Sequence, residues 1–138
     1  MAAVAVRKLQ GEDEAAGLAL LSVVVQPSAV ADGLTIAEVL LGAIDADGEI
    51  VGALRARCQS KSQQSVVGLL GVRRDRRRQG IGRALLDAFW DREVRAGADT
   101  VDVHVRPGGS DDAALMHFYE SCGFMWTGEM FRRRRSDA

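Results

Sequence analysis

A chain of 138 residues, 47% apolar and 27% charged, can bury a core without disulfide or metal staples, and it predicts one globular domain over residues 1–138 rather than two. Fifteen Gly against two Pro exclude collagenous, mucin-like and disordered classes, and no apolar run approaches the length of a membrane span. The formal charge of −1 conceals an asymmetry: residues 73–83 hold six Arg against one Asp and residues 132–135 are four Arg, which leaves −10 on the rest of the chain. The start, Met1-Ala2-Ala3-Val4, has no charged region followed by an apolar one, so a cytoplasmic protein without a membrane partner is expected. Cys58 and Cys122 are too few for a disulfide framework and lack metal-ligand spacing with His104 and His117, so neither a structural disulfide nor a metal is expected.

The elements follow in chain order. Val4, Val6 and Leu9 open a short strand, and the acidic run Glu12-Asp13-Glu14 precedes Leu18, Leu21 and Val25 at near-helical spacing. Residues 26–35, with Pro27, read as a loop or a broken helix. Val39 to Ile44, the turn Asp45-Ala46-Asp47-Gly48, and Ile50 to Leu54 form a hairpin. Polar residues Gln59 to Gln64 lead to Ser65–Val72, an apolar run of strand length that suits a buried central strand. After a loop over residues 73–82, Ile81, Ala84, Leu85, Ala88 and Phe89 mark the apolar face of a helix running to Gly97. Val101, Val103 and Val105 alternate with Asp102 and His104 as a further strand, which Pro107-Gly108-Gly109 stops. Asp111 or Asp112 caps a helix through Leu115, Phe118 and Tyr119 to Gly123, and Phe124 to Phe131 returns extended. A hairpin followed by two helix-strand units predicts an α/β or α+β domain on a mixed sheet.

The chemistry concentrates between Ser65 and Arg95. An apolar strand runs into Gly71-Val72, then an Arg-rich loop, then Gln79-Gly80-Ile81-Gly82 and a long helix. The first turn of a helix exposes unpaired N–H groups, glycine lets a ligand approach the backbone, and arginine adds charged forks, so the junction suits a pyrophosphate. It is not a P-loop, which would end in Gly-Lys-Ser/Thr, nor a dinucleotide fingerprint, which needs three spaced glycines.

Arg77-Arg78-Gln79-Gly80-Ile81-Gly82 resembles the Arg/Gln-x-x-Gly-x-Gly/Ala signature of the GNAT superfamily of N-acetyltransferases. Residues 111–124, which include Asp112 and end in Tyr119-Glu120-Ser121-Cys122-Gly123-Phe124, resemble that family's Asn-containing helix closing on Tyr-x-x-x-Gly-Phe. Element order agrees over about residues 4–131. The resemblance implies a mixed, mostly antiparallel sheet flanked by helices, and acetyl-CoA as co-substrate. It assigns the pyrophosphate to the backbone around Arg78, Gly80 and Gly82 with Gln79 and Ile81 as neighbours, and added charge to Arg77 and Arg83. Leu70 and Val72 would offer backbone groups to the pantetheine arm, Tyr119 would protonate the departing thiolate, and Asp112 stands where the family has Asn. The implied reaction is direct attack of a primary amine, on a small molecule or peptide, on the thioester.

Departures from the pattern set further expectations. No acidic residue lies in Ser65–Val72, where many members carry a glutamate base, which leaves Glu38, Glu49 and Asp102 as unranked substitutes. His104 reads either as a base or as a merely hydrogen-bonded strand histidine. Cys122 reads as a nucleophile or as a small buried residue, and His117 as structural. Fourteen residues after Phe124 leave room for a last strand that is short or missing; a missing one would expose an edge for a homodimer to cover. The Arg132–Arg135 run reads as a solubility tail, an acceptor-binding feature or a strand's charged end. Two rival functions remain: a GNAT-like acyl-CoA sensor without catalysis, and an Arg-rich nucleic-acid module, disfavoured by the absence of stacking aromatics between residues 73 and 88.

Overall fold

The computed structural model describes residues 4–24, 38–59, 64–104 and 113–135. Its elements are β1 (Ala5–Lys8), α1 (Glu12–Val24), β2 (Glu38–Ile44), β3 (Ile50–Gln59), β4 (Gln64–Val72), α2 (Ile81–Arg95), β5 (Thr100–Val103), α3 (Ala113–Ser121), β6 (Met125–Trp126) and β7 (Phe131–Arg134). They build a seven-stranded sheet in the order β1-β2-β3-β4-β5-β7-β6. Every neighbouring pair is antiparallel except β4 and β5. Strands that run parallel need a long crossover, and α2 supplies it.

Helices cover both faces, which is why β2 reads as an unbroken apolar run rather than an alternating one. On one face Leu21 of α1 joins Leu9, Leu40, Ile44 and Ala53, with Leu69 packed against them. On the other, Ile81, Leu85, Leu86, Phe89 and Trp90 of α2 meet Val39, Leu41, Leu54, Val67, Val101 and Val103, together with Tyr119, Phe124 and Phe131. The α1 side is closely fitted at two glycines. A Cβ on Gly17 would come within 2.5 Å of Leu9, and one on Gly42 within 2.6 Å of the same side chain.

Two features of the sheet shape the cleft described below. Leu69 pairs with Arg55 and Val67 with Ala56, so Gly68 is an extra residue in β4. Such a bulge bends the strand and increases its twist. The parallel ladder with β5 then stops at Val67 and Val103, while β4 continues to Val72 against β3.

The C-terminal third differs from its expected form. Phe124 to Phe131 is not one extended segment, because Thr127 N–H closes a turn on the Met130 carbonyl at 2.9 Å and Gly128 adopts a φ of 104°. The last strand is short but present, and it lies inside the sheet between β5 and β6. The missing edge that motivated a homodimer is therefore not there; the outermost strand on that side is the two-residue β6. The Arg132–Arg135 run is not a tail. Arg132, Arg133 and Arg134 belong to β7, where Arg132 grips Asp102 at 2.7 and 2.9 Å, while Arg133 stacks 4.2 Å from the Trp90 ring centre and Arg135 reaches Asp99 at 3.2 Å. The loop over residues 26–35, Val105 and the cap at Asp111 or Asp112 lie outside the described residues.

Asp102 is fully buried, and its carboxylate accepts from Gln64 of β4 and from Arg132 of β7, so one side chain ties three strands together. Removing one member of a buried pair leaves an uncompensated charge. Asp102→Ala should lower the unfolding free energy by about 3 kcal/mol in urea titration, and Asp102→Leu combined with Arg132→Met should restore most of it.

Candidate active site

The end of β4, the loop after it, the start of α2 and one side of α3 wall a cavity of about 740 Å³. From β4 come Leu70, Gly71 and Val72; from the loop and helix start come Arg77, Arg78, Gly80, Ile81, Gly82 and Arg83. Tyr119 lines it from α3. Nearly all the residues singled out from the sequence thus meet in one place. Gln79 is not among the lining residues and instead accepts from Arg76 Nε at 3.3 Å. Asp112 lies outside the described residues.

The helix start is built open. Gly80 occupies the N-cap of α2 with φ 77°, and no side chain caps the helix. Ala84 N–H reaches the Gly80 carbonyl at 3.0 Å, but the first-turn donors of residues 81–83 have no intrahelical acceptor. With no acidic residue in that turn, the positive end of the helix dipole is unopposed. Arg78, at φ 64°, is a non-glycine residue in the left-handed region, so one backbone unit of this loop is turned against its ordinary preference, two residues before a glycine that takes the same region freely. Gly82 serves a different purpose. A Cβ there would stand 3.2 Å from the Phe118 ring, so the missing side chain keeps α2 and α3 close at the cavity floor.

The arginines of the loop divide by role. Arg73 pairs with Asp75 at 2.7 Å and with Glu49 at 3.1 Å, and Arg76 pairs with Asp45 at 2.9 Å. Asp45 also accepts the amides of Asp47 and Glu49, and the Glu49 amide followed by the Arg76 guanidinium holds its carboxyl below the usual range. These contacts fasten the loop to the β2–β3 hairpin. Arg77 Nε donates to the Val72 carbonyl at 3.3 Å, and Arg77, Arg78 and Arg83 leave their exposed guanidinium groups at the cavity.

Tyr119 is buried among Phe118, Phe124 and Phe131, with ring centres 5.1, 6.1 and 4.8 Å away. Burial pushes its hydroxyl up to about 12, which keeps it protonated as a donor at neutral pH. Burial also pushes the Cys122 thiol up, so it is a neutral packed group rather than a nucleophile. Cys58 is likewise driven to about 11, first by burial and then by its hydrogen bond to Glu93. The three carboxylates offered as bases are all engaged: Glu38 with Arg55 at 2.7 Å, Glu49 with Arg73, and Asp102 with Arg132. Among the described residues no group of His, Cys, Asp and Glu could hold a metal.

Sequence reasoning missed Leu115, Phe118 and Ser121 as cavity residues, and Arg76 beside them. Leu115, Phe118 and Tyr119 have the three- and four-residue spacing of one helix face, so the signal existed; what the sequence withheld was which way that face turns.

The profile of the acetyltransferase (GNAT) domain matches residues 37–125, more than half of the chain. The chain belongs to the GNAT acetyltransferase family. Its fold is similar to that of the ribosomal-protein-S18-alanine N-acetyltransferase of Escherichia coli, at 19% identity and a TM-score of 0.75 over 94% of this chain and 89% of that one. A Bacillus subtilis acetyltransferase in complex with CoA is similar at 16% identity and TM-score 0.73, over 94% and 96% of the two chains. A GNAT family N-acetyltransferase from Escherichia coli, also in complex with CoA, gives 19% identity and TM-score 0.72, over 99% and 84%. No curated protein sequence matches the chain.

Gly80 and Gly82 make separable predictions. No atom lies within 4 Å of a Cβ built on Gly80, so Gly80→Ala should cost only its left-handed backbone, about 1–2 kcal/mol in urea unfolding. Gly80→Asn should recover part of that loss. Gly82→Ala should instead displace Phe118, visible as a shift of its ring resonances in NMR, with the helix start otherwise unchanged.

Proposed function

We propose that this GNAT protein transfers an acetyl group from acetyl-CoA to a primary amine by direct attack on the thioester. The observation that carries the reading is the single cavity that joins the end of β4, the uncapped start of α2 with Arg77, Arg78 and Arg83, and the buried Tyr119. Each part suits a different portion of one long, anionic thioester.

The residues present fit that co-substrate. The free N–H groups at the start of α2 and the three guanidinium groups would hold the pyrophosphate, where backbone donors supply direction and arginine supplies charge. Backbone groups of Leu70 and Val72 would pair with the amides of the pantetheine arm as another strand would, since among the described residues β4 pairs with β5 only as far as Val67. In the reaction the C–N bond forms, the C–S bond breaks, and the developing charge on sulfur needs a donor. Tyr119, which lines the cavity, would provide it. With a pKa near 12 it is a weaker acid than an ordinary thiol at about 8.5, so it stabilises the departing sulfur as a hydrogen-bond donor, and solvent completes the protonation.

The nucleic-acid reading has less support than the charge count gave it. Three arginines at the C-terminal end, Arg132, Arg133 and Arg135, and two in the loop, Arg73 and Arg76, are engaged with carboxylates or the Trp90 ring, not arrayed for phosphates of a polymer. What separates an enzyme from a sensor of acyl-CoA is turnover.

Calorimetric titration with acetyl-CoA should show saturable one-to-one binding, with CoA and 3′-dephospho-CoA as comparisons. Gly82→Trp, which fills the cavity floor against Phe118, should abolish it. Tyr119→Phe should keep the affinity and lower thiol release with an accepted amine by about 10²-fold. A folded protein that does not bind acetyl-CoA overturns the proposal, and unchanged turnover in Tyr119→Phe removes the tyrosine from it.

A further inference from the structure

We propose that the groove between α2, the end of α3 and β7 is an adenine subsite, in which Asp87 and Asp91 accept hydrogen bonds from the exocyclic amine and the Arg133 guanidinium stacks on the ring. The proposal rests on the acetyl-CoA reading above and deepens it, giving residues to the end of the co-substrate that the first cavity leaves unplaced.

The groove is a second cavity, of about 420 Å³, and it shares Arg83 and Ser121 with the first. The two cavities therefore adjoin, with Arg83 at the passage between them. A linear ligand whose pyrophosphate sits on the start of α2 carries its nucleoside past that arginine. Arg83, Asp87 and Asp91 follow one another at four-residue spacing, as one stripe along α2. Helix side chains lean toward the N-terminus, so both carboxylates lean toward the pyrophosphate end. From Gly82 to Asp87 is about 7.5 Å along the axis at 1.5 Å per residue, the order of the span between the phosphates and the base of an extended nucleotide.

The lining suits the base better than a further phosphate. Arg83 and Arg133 are balanced by Asp87 and Asp91, and burial holds the Cys122 thiol neutral, so the groove carries no net charge to draw an anion. It offers acceptors and a plane instead. Asp87 lies 3.9 Å from both Arg83 and Arg133, beyond hydrogen-bond distance, and Asp91 pairs with no cation among the described residues. Their oxygens thus keep their acceptor capacity. Two carboxylates one turn apart also repel each other, and an amine whose two N–H donors are shared between them relieves that repulsion. The plane is Arg133. Its guanidinium lies 4.2 Å from the Trp90 ring centre, its Nη1 donates to the Cys122 carbonyl at 3.4 Å, and 29% of the side chain stays exposed. Gly123 makes room for it, because a Cβ there would stand 3.1 Å from Arg133 Nε. A guanidinium held in this way presents a flat face to a purine with little left to order on binding.

The test is calorimetry on the full chain with CoA and with deamino-CoA, in which hypoxanthine replaces adenine and a carbonyl stands in place of the amine. Wild type should bind CoA about tenfold more tightly than deamino-CoA, because a hydrogen bond to a charged acceptor is lost and an oxygen is turned toward the carboxylates. The double variant Asp87→Ala/Asp91→Ala should bring the two affinities within about twofold of each other. Alanine is the better helix former, so that variant keeps α2. Arg133→Met, which retains an apolar contact with Trp90, should weaken both ligands by the same factor, about fourfold. Equal binding of CoA and deamino-CoA by wild type, or a preference for CoA that survives in the double variant, overturns the subsite while the acetyl-CoA reading stands. Wild-type affinities in Arg133→Met overturn the stacking contact. A wild-type protein that binds neither CoA nor acetyl-CoA overturns both readings.

Discussion

The structure depends on a parallel ladder only four residues long in an otherwise antiparallel sheet. Because β4 and β5 run the same way, the chain must cross over between them, and that crossover delivers the N-terminus of α2 to the end of β4. Among the described residues the ladder ends at Val67 and Val103, and the last five residues of β4 pair only with β3. The bulge at Gly68 turns β4 at the point where that ladder ends. An antiparallel connection would not need that crossover and would leave the helix end elsewhere. The placement of the uncapped helix start beside the end of β4 is thus a consequence of one pairing.

So short a ladder needs support from elsewhere, and β7 provides it. By inserting between β5 and β6 it gives β5 a second partner over its whole length, Thr100 to Val103. Arg132 and Asp102 then link β7 to β5 by side chains, and Gln64 extends the link to β4. On the other face, Arg133 of the same strand lies over Trp90 of α2. Alternate arginines of one short strand therefore brace both faces of the sheet.

Much of this was legible in the residues. The hairpin of β2 and β3, the apolar β4, the amphipathic α2 and the glycine-arginine junction all follow from local patterns, and local patterns suffice where turn chemistry and periodicity agree. The arginine run, one of whose readings was a strand's charged end, stayed undecided because its partners are far away in sequence: Asp102 is thirty residues from Arg132, and Trp90 is more distant still from Arg133. Read alone, four successive arginines look solvated, and only the fold shows that a strand alternates them between two partners. The turn before β7 was more accessible, since Gly128 and Thr127 are ordinary turn residues, and the short strands on either side are what hid it. At the site, the composition of the cavity was visible from the β4–α2 side and obscure from the α3 side, where Leu115 and Phe118 marked only one face of a helix.

The six arginines of residues 73–83 show how charge concentration can serve order and binding together. Arg73 and Arg76 are spent on Asp75, Glu49 and Asp45, so the loop is neutralised where it must hold its shape. Arg77, Arg78 and Arg83 remain where the cavity opens, beside backbone donors that no side chain caps. Arg77 is itself held by the Val72 carbonyl at 3.3 Å and Arg83 lies 3.9 Å from Asp87, so the cavity-facing groups are also placed by the fold. On the acetyl-CoA reading proposed above, an anion arriving there would meet groups whose ordering cost has been met in folding rather than in binding, which is the advantage of setting shape-holding and cavity-facing arginines in one loop.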